Sequence, residues 1–197
     1  MNSSNLIKQC TRVLIISLVV SVVTTVRAQV AYKQLPTSKL ELTGTSTLHN
    51  WEMTSKDLSI QVNFKLNADG TPAELDGLKV SLPAESLKSG KGAMDKNAYN
   101  SLKTEQFKSI IFSATSGKFN ADKVKLNGNL TISGVTQAIE LEATCKEQPD
   151  KSLQCKGTKA LKMSDYKVEP PTFAFGTVKT GNDININFEV NLSPVKP

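Results

Sequence analysis

"GNLTISGVTQAIELEA", residues 128–143, carries the fold in its rhythm. Leu130 and Ile132 alternate with polar neighbours before Ser133-Gly134; Ile139, Leu141 and Ala143 alternate after it. Period two is the spacing of a strand with one face in a core, because successive side chains point to opposite faces. Gly134 takes the positive φ that a tight reversal demands and a β-branched residue resists. The stretch predicts a β-hairpin, and nothing in it points to catalysis.

The same rhythm extends outward. Leu153, Cys155, Gly157 and Leu161 alternate beyond the turn signal Pro149-Asp150-Lys151, which Cys145 and Cys155 bracket. Pairing 145 with 155, 143 with 157, 141 with 159 and 139 with 161 keeps one register. It joins the apolar sides of both strands and predicts a Cys145–Cys155 disulfide. Leu58 to Leu66, Leu78 to Leu82, Val124 to Ile132 and Ile184 to Leu192 repeat the pattern, and Ile110, Phe112 and Ala114 make a further strand. Leu40, Leu42, Ser46 and Leu48 predict a first strand. Asn67–Gly70 and Gly181–Asp183 read as turns. Only residues 90–107 break the pattern: Met94, Ala98 and Leu102 recur at four-residue steps, which predicts one short helix from Met94 to Lys103 capping one end. The chain is thus all-β and antiparallel, with about eight strands and one inserted helix. A closed barrel and a two-sheet sandwich both satisfy the alternation.

Residues 1–28 stand apart from this domain. Lys8 and Arg12 precede the apolar run Val13–Val26, and Val26-Arg27-Ala28 resembles a signal-peptidase site. We read residues 1–28 as a signal peptide and 29–197 as a single domain, periplasmic or secreted, with no membrane span once the signal is removed. An exported location makes the disulfide the first expectation for Cys145 and Cys155.

Composition excludes several function classes. Loss of Lys8, Arg12 and Arg27 lowers the formal charge from +6 to +3, and every remaining basic residue is lysine. Nucleic-acid readers use arginine forks on phosphates and bases, so no nucleic-acid partner is expected. His49 is the only histidine, and no Gly-x-Ser-x-Gly elbow, GxGxxG or phosphate loop accompanies it. No metal and no cofactor is expected. His49 shares "GTSTLHNWEM" with Trp51, the only tryptophan, and the two read as a polar tip and an aromatic wall at the rim of a cavity, or as a cover over one end of the core.

Three stretches occur in order: "SKLELTGTSTLHNWEM", "MDKNAYNSLKTEQFKSIIFSA" and "LNGNLTISGVTQAIELEA". Together they resemble the YceI-like family of exported bacterial proteins, across essentially all of residues 29–197. The resemblance implies an extended, lipocalin-like antiparallel barrel with a helix and loops at one end. It also implies an isoprenoid or long acyl (fatty-acyl) lipid held inside, with no catalysis. Leu42, Phe64, Val80, Phe112, Leu126, Leu130, Leu141 and Phe188 are the positions expected to line the cavity, with His49 and Trp51 at its rim. The small inward residues Gly44, Ser46, Ala114, Gly128 and Gly157 are expected to leave volume there. A filled barrel acting through its surface is the competing reading. An enzyme acting on a bound isoprenoid would need His49 in the cavity beside a carboxylate. A homodimer is compatible with each reading and required by none.

Overall fold

The computed structural model describes residues 29–195; the expected signal peptide, residues 1–28, lies outside the described residues. The strands are β1 (Gln29–Gln34), β2 (Lys39–Ser46), β3 (Trp51–Ser55), β4 (Ser59–Leu66), β5 (Pro72–Pro83), β6 (Ser109–Asn120), β7 (Lys123–Ile132), β8 (Val135–Glu147), β9 (Leu153–Lys162), β10 (Thr172–Phe173) and β11 (Val178–Pro194). One helix, α1 (Gly92–Leu102), enters between β5 and β6.

All pairings are antiparallel, and the sheet closes on itself. β11 pairs with β9 along one edge and with β2 and then β1 along the other. β4 bonds to β1 and β5, and β3 bonds to β2. β1 with β2, and β3 with β4, each act as one bent strand, which gives a closed barrel of eight. Closure removes the sheet edges and decides for the barrel over the sandwich. The bend between β1 and β2 follows Pro36, which has no N–H to donate. Ser38 is fully buried there, accepting the Asn191 N–H at 3.0 Å and donating to the Asn191 carbonyl at 3.1 Å.

The β7–β8 hairpin forms as predicted. Ile132 pairs with Val135, so Ser133 (φ 48°) and Gly134 (φ 76°) make a two-residue turn with both residues left-handed. The hairpin tip also carries the helix. The Ser133 hydroxyl donates to the Leu102 carbonyl at 2.9 Å, satisfying a free carbonyl at the end of α1. The Phe107 ring fills the space a Cβ on Gly134 would take.

Three expectations are corrected. β8 and β9 hold the predicted register, Cys145 opposite Cys155, and the disulfide joins them. Their ladder spans only Thr144–Glu147 against Leu153–Lys156, however, so pairs 143–157, 141–159 and 139–161 are absent. β8 follows β7 back to the Ser133-Gly134 turn while β9 follows β11, and the two ladders diverge. Gln137 spans the gap by donating to the Asp165 carbonyl at 2.8 Å. Second, Leu48 is no strand residue. β2 ends at Ser46, whose hydroxyl oxygen accepts the N–H groups of Leu48 and His49 and reverses the chain. Third, Gly181–Asp183 is a bulge inside β11, where the register shifts between Thr180 and Ile184, and no chain reversal occurs.

Candidate functional site

The barrel interior holds two adjoining apolar chambers. The upper one, about 320 Å³, lies under the mouth loops and α1. The lower one, about 150 Å³, lies among β4 to β9 and β11. Leu40, Leu82, Ile110 and Ile186 face both, so the chambers share a waist. The upper volume falls within the ~300–1,000 Å³ usual for ligand pockets.

The structure places each predicted residue on this interior. Phe64, Val80, Phe112, Leu126, Leu130, Leu141 and Phe188 line the lower chamber, and Leu42 lines the upper one with His49 and Trp51. Cys145 and Cys155 also reach the lower chamber. Alternation makes this legible: β11 pairs Ile186 with Leu42 and Phe188 with Leu40, and paired residues share a face.

The small residues act differently from the expectation that they leave bare space. Phe188 lies on Gly157, its cross-strand partner, and Trp51 lies on Gly44, also its partner. Phe112 lies on Gly128 from the neighbouring strand, with ring atoms 2.6 Å from where a Cβ would stand. Each missing Cβ leaves room for a ring at that point of the wall, so the glycines serve the chambers by seating the rings that line them.

At the rim, the Trp51 Nε1–H donates to the Thr45 carbonyl at 2.9 Å, and its ring borders the upper chamber. His49 is exposed, with Nδ1 2.6 Å from the Asn50 carbonyl. A carbonyl only accepts, so that nitrogen carries the proton. α1 closes part of the mouth, presenting Met94, Ala98 and Leu102 to the small core of Met53, Leu82 and Leu87. Its first turn is fixed by the buried Asp95 carboxylate, which accepts the Ser89 N–H at 2.8 Å and the Ser89 hydroxyl at 2.6 Å.

Tyr166 lines the upper chamber, and its buried hydroxyl has no hydrogen-bond partner among the described residues. Burial pushes that hydroxyl's pKa up, with the neighbouring Asp165 charge adding to the effect. Sequence reasoning missed Tyr166, and it missed the short hairpin β10–β11 that borders the mouth with Phe173. Two phenylalanines between Pro171 and Gly176 were the available signal for the hairpin; nothing local marked Tyr166. No helix among the described residues is long and apolar enough to cross a membrane.

Comparison with known proteins agrees with this architecture. Burkholderia cenocepacia BcnA superposes with a TM-score of 0.67 at 16% identity, over 82% of this chain and 99% of that one. A polyisoprenoid binding domain from Saccharophagus degradans, implicated in plant cell wall breakdown, gives 0.65 at 11% identity, over 84% and 99%. The Campylobacter jejuni YCEI protein gives 0.56 at 22% identity, over 73% and 84%. No curated protein matches the sequence. At these identities the likenesses establish the fold; membership comes from the sequence, because the model of the YceI-like domain matches residues 22–192, and the chain therefore belongs to the YceI-like family.

Proposed function

We propose that the protein is an exported, non-enzymatic carrier or store that holds one isoprenoid or long acyl lipid, tail in the two chambers and polar head near the mouth. The observation that carries this reading is the continuous apolar interior, wide at the mouth and narrow below the waist. Burial of a chain there contributes about 0.8 kcal/mol per CH₂, so a tail of a dozen carbons supplies ample affinity. A filled barrel would lack these chambers. The family and the polyisoprenoid-binding neighbour support the ligand class.

The polar groups at the mouth suit the head of an amphiphile. His49 stands exposed at the rim with its Nδ1–H held by the Asn50 carbonyl. Tyr166 offers a buried donor that an acceptor on the cargo would satisfy.

Native mass spectrometry of protein purified without detergent, followed by organic extraction, tests the proposal. A stoichiometric adduct that extracts as a long-chain lipid is the expected result. An adduct-free mass, with no stabilisation on titrating isoprenoids or fatty acids, would refute it.

A further inference from the structure

Large apolar side chains gather in water at one place on this protein. Among the described residues Leu48, Phe173, Phe175 and Val195 are the exposed large hydrophobics; Leu48 and Phe173 border the mouth, and Phe175 follows two residues after Phe173. Phe173 pairs with Val178 at the end of the β10–β11 hairpin, and Phe175 sits at its tip, fully exposed. The Leu48 loop is fastened to the same hairpin. The Thr47 N–H donates to the Lys179 carbonyl at 2.9 Å, and the Lys179 N–H donates to the Thr47 hydroxyl at 3.1 Å.

The tip is held in an unfavourable backbone. Ala174 (φ 50°), Phe175 (φ 55°) and Gly176 (φ 83°) are successively left-handed, which only glycine adopts without cost. The fold thus tolerates strain at a turn whose result is an aromatic ring pointing into solvent, a combination that marks function more often than packing.

Continuity says what covers the patch. Leu48 and Phe173 form the outer lip of the upper chamber, so the exposed apolar surface runs without a break into the dry interior. Lys91 lines the same mouth and Lys179 follows the hairpin tip; both are exposed, and neither is within 4.0 Å of a carboxylate among the described residues. Projecting rings with an exposed lysine on the same lip and another on the same hairpin match a bilayer surface, with apolar tips among the acyl chains and charges at the head groups. A lipid that leaves a bilayer through such a contact never exposes its chain to water.

We propose that the mouth docks on an anionic membrane surface through Leu48, Phe173 and Phe175, and that the docked state is where cargo is exchanged. The exchange clause rests on the carrier reading; the docking clause does not. The test is co-flotation of the purified protein with phosphatidylcholine vesicles, with and without phosphatidylglycerol. It is paired with direct titration of dispersed cis-parinaric acid, a fluorescent fatty acid that reports the cavity alone.

The expected result is flotation that rises with phosphatidylglycerol. It should fall at least tenfold in Phe175→Ser, whose ring lies at the hairpin tip outside the chamber lining, and stay unchanged in Val195→Ser, with parinaric acid binding and far-ultraviolet circular dichroism preserved in both. Wild-type protein that fails to float while binding parinaric acid would overturn docking and leave the carrier reading intact. Equal flotation of the phenylalanine variant would also overturn it. Flotation lost in that variant, in a protein that binds neither parinaric acid nor an isoprenoid titrated in its place, would support docking and refute the carrier reading.

Discussion

Phe188 and Gly157 are direct partners across β11 and β9, and the Phe188 ring occupies the space a Cβ on residue 157 would take. The glycine is the seat that keeps this ring on the barrel wall. Gly157→Ala should push the ring into the lower chamber or strain β9 against the Glu142 carbonyl, which stands 2.5 Å from the same position. Overpacking of this kind costs about 1–3 kcal/mol. Urea unfolding should show that loss, and parinaric acid capacity should fall with it. A variant with unchanged stability and capacity would mean the ring moves freely and the seat is incidental.

The Cys145–Cys155 bond closes a loop with a sequence separation of 10 at the end of the β8–β9 ladder. Chain-entropy arguments assign a loop of that size about 2–3 kcal/mol. Reduction, or replacement of both cysteines by alanine, should lower unfolding stability by that amount. The barrel should stay closed, because β8 remains bonded to β7 and β9 to β11. Alkylation with and without reductant, read by mass, checks that the bond is present.

Ser133 ties the β7–β8 turn to the last carbonyl of α1. Ser133→Ala should cost about 0.5–1.5 kcal/mol, the net worth of one hydrogen bond. Its effect should be local, visible as faster amide exchange in residues 99–104 with little change elsewhere. Gly134→Val should be more damaging, because it combines a left-handed backbone with a collision against Phe107. Uniform acceleration of exchange in Ser133→Ala would show that the contact supports the whole barrel.

Two hairpin turns share one polar device. Asp69 accepts from the Thr71 hydroxyl and N–H, and Asp150 accepts from the Ser152 hydroxyl and N–H. The hydroxyl bonds first, and then the backbone bonds, hold both carboxyls below the ordinary 3.8. A depressed folded pKa contributes stability above the unfolded value and loses it as pH falls through the folded one. Carboxyl carbon titration by nuclear magnetic resonance should find both midpoints below 3.8, and Thr71→Val should return Asp69 toward it.

Much of the fold was legible because a half-buried strand writes its period into the chain. The β7–β8 hairpin, the helix beginning near Met94 and the lining set from Phe64 to Phe188 all follow from alternation and from Gly134. The β8–β9 register was legible at Cys145 and Cys155 and failed beyond them, because a strand's second partner draws it away and no local pattern records that competition. Leu48 kept strand parity in the sequence, yet Ser46 folds the chain back before it.

The sequence by itself determined an all-β antiparallel chain, the β7–β8 turn and the inward faces, since each depends on neighbours a few residues apart, and its three ordered stretches marked the family. Alternation left barrel and sandwich open and the family resemblance implied the barrel; the tertiary structure shows the sheet closed, with rings resting on glycines beside two chambers. It alone gathered Leu48 and Phe173 on one rim, with Phe175 exposed at the adjoining hairpin tip. Closure, cavity volume and surface patches depend on residues more than a hundred positions apart, such as Thr47 and Lys179, and no local periodicity encodes that distance.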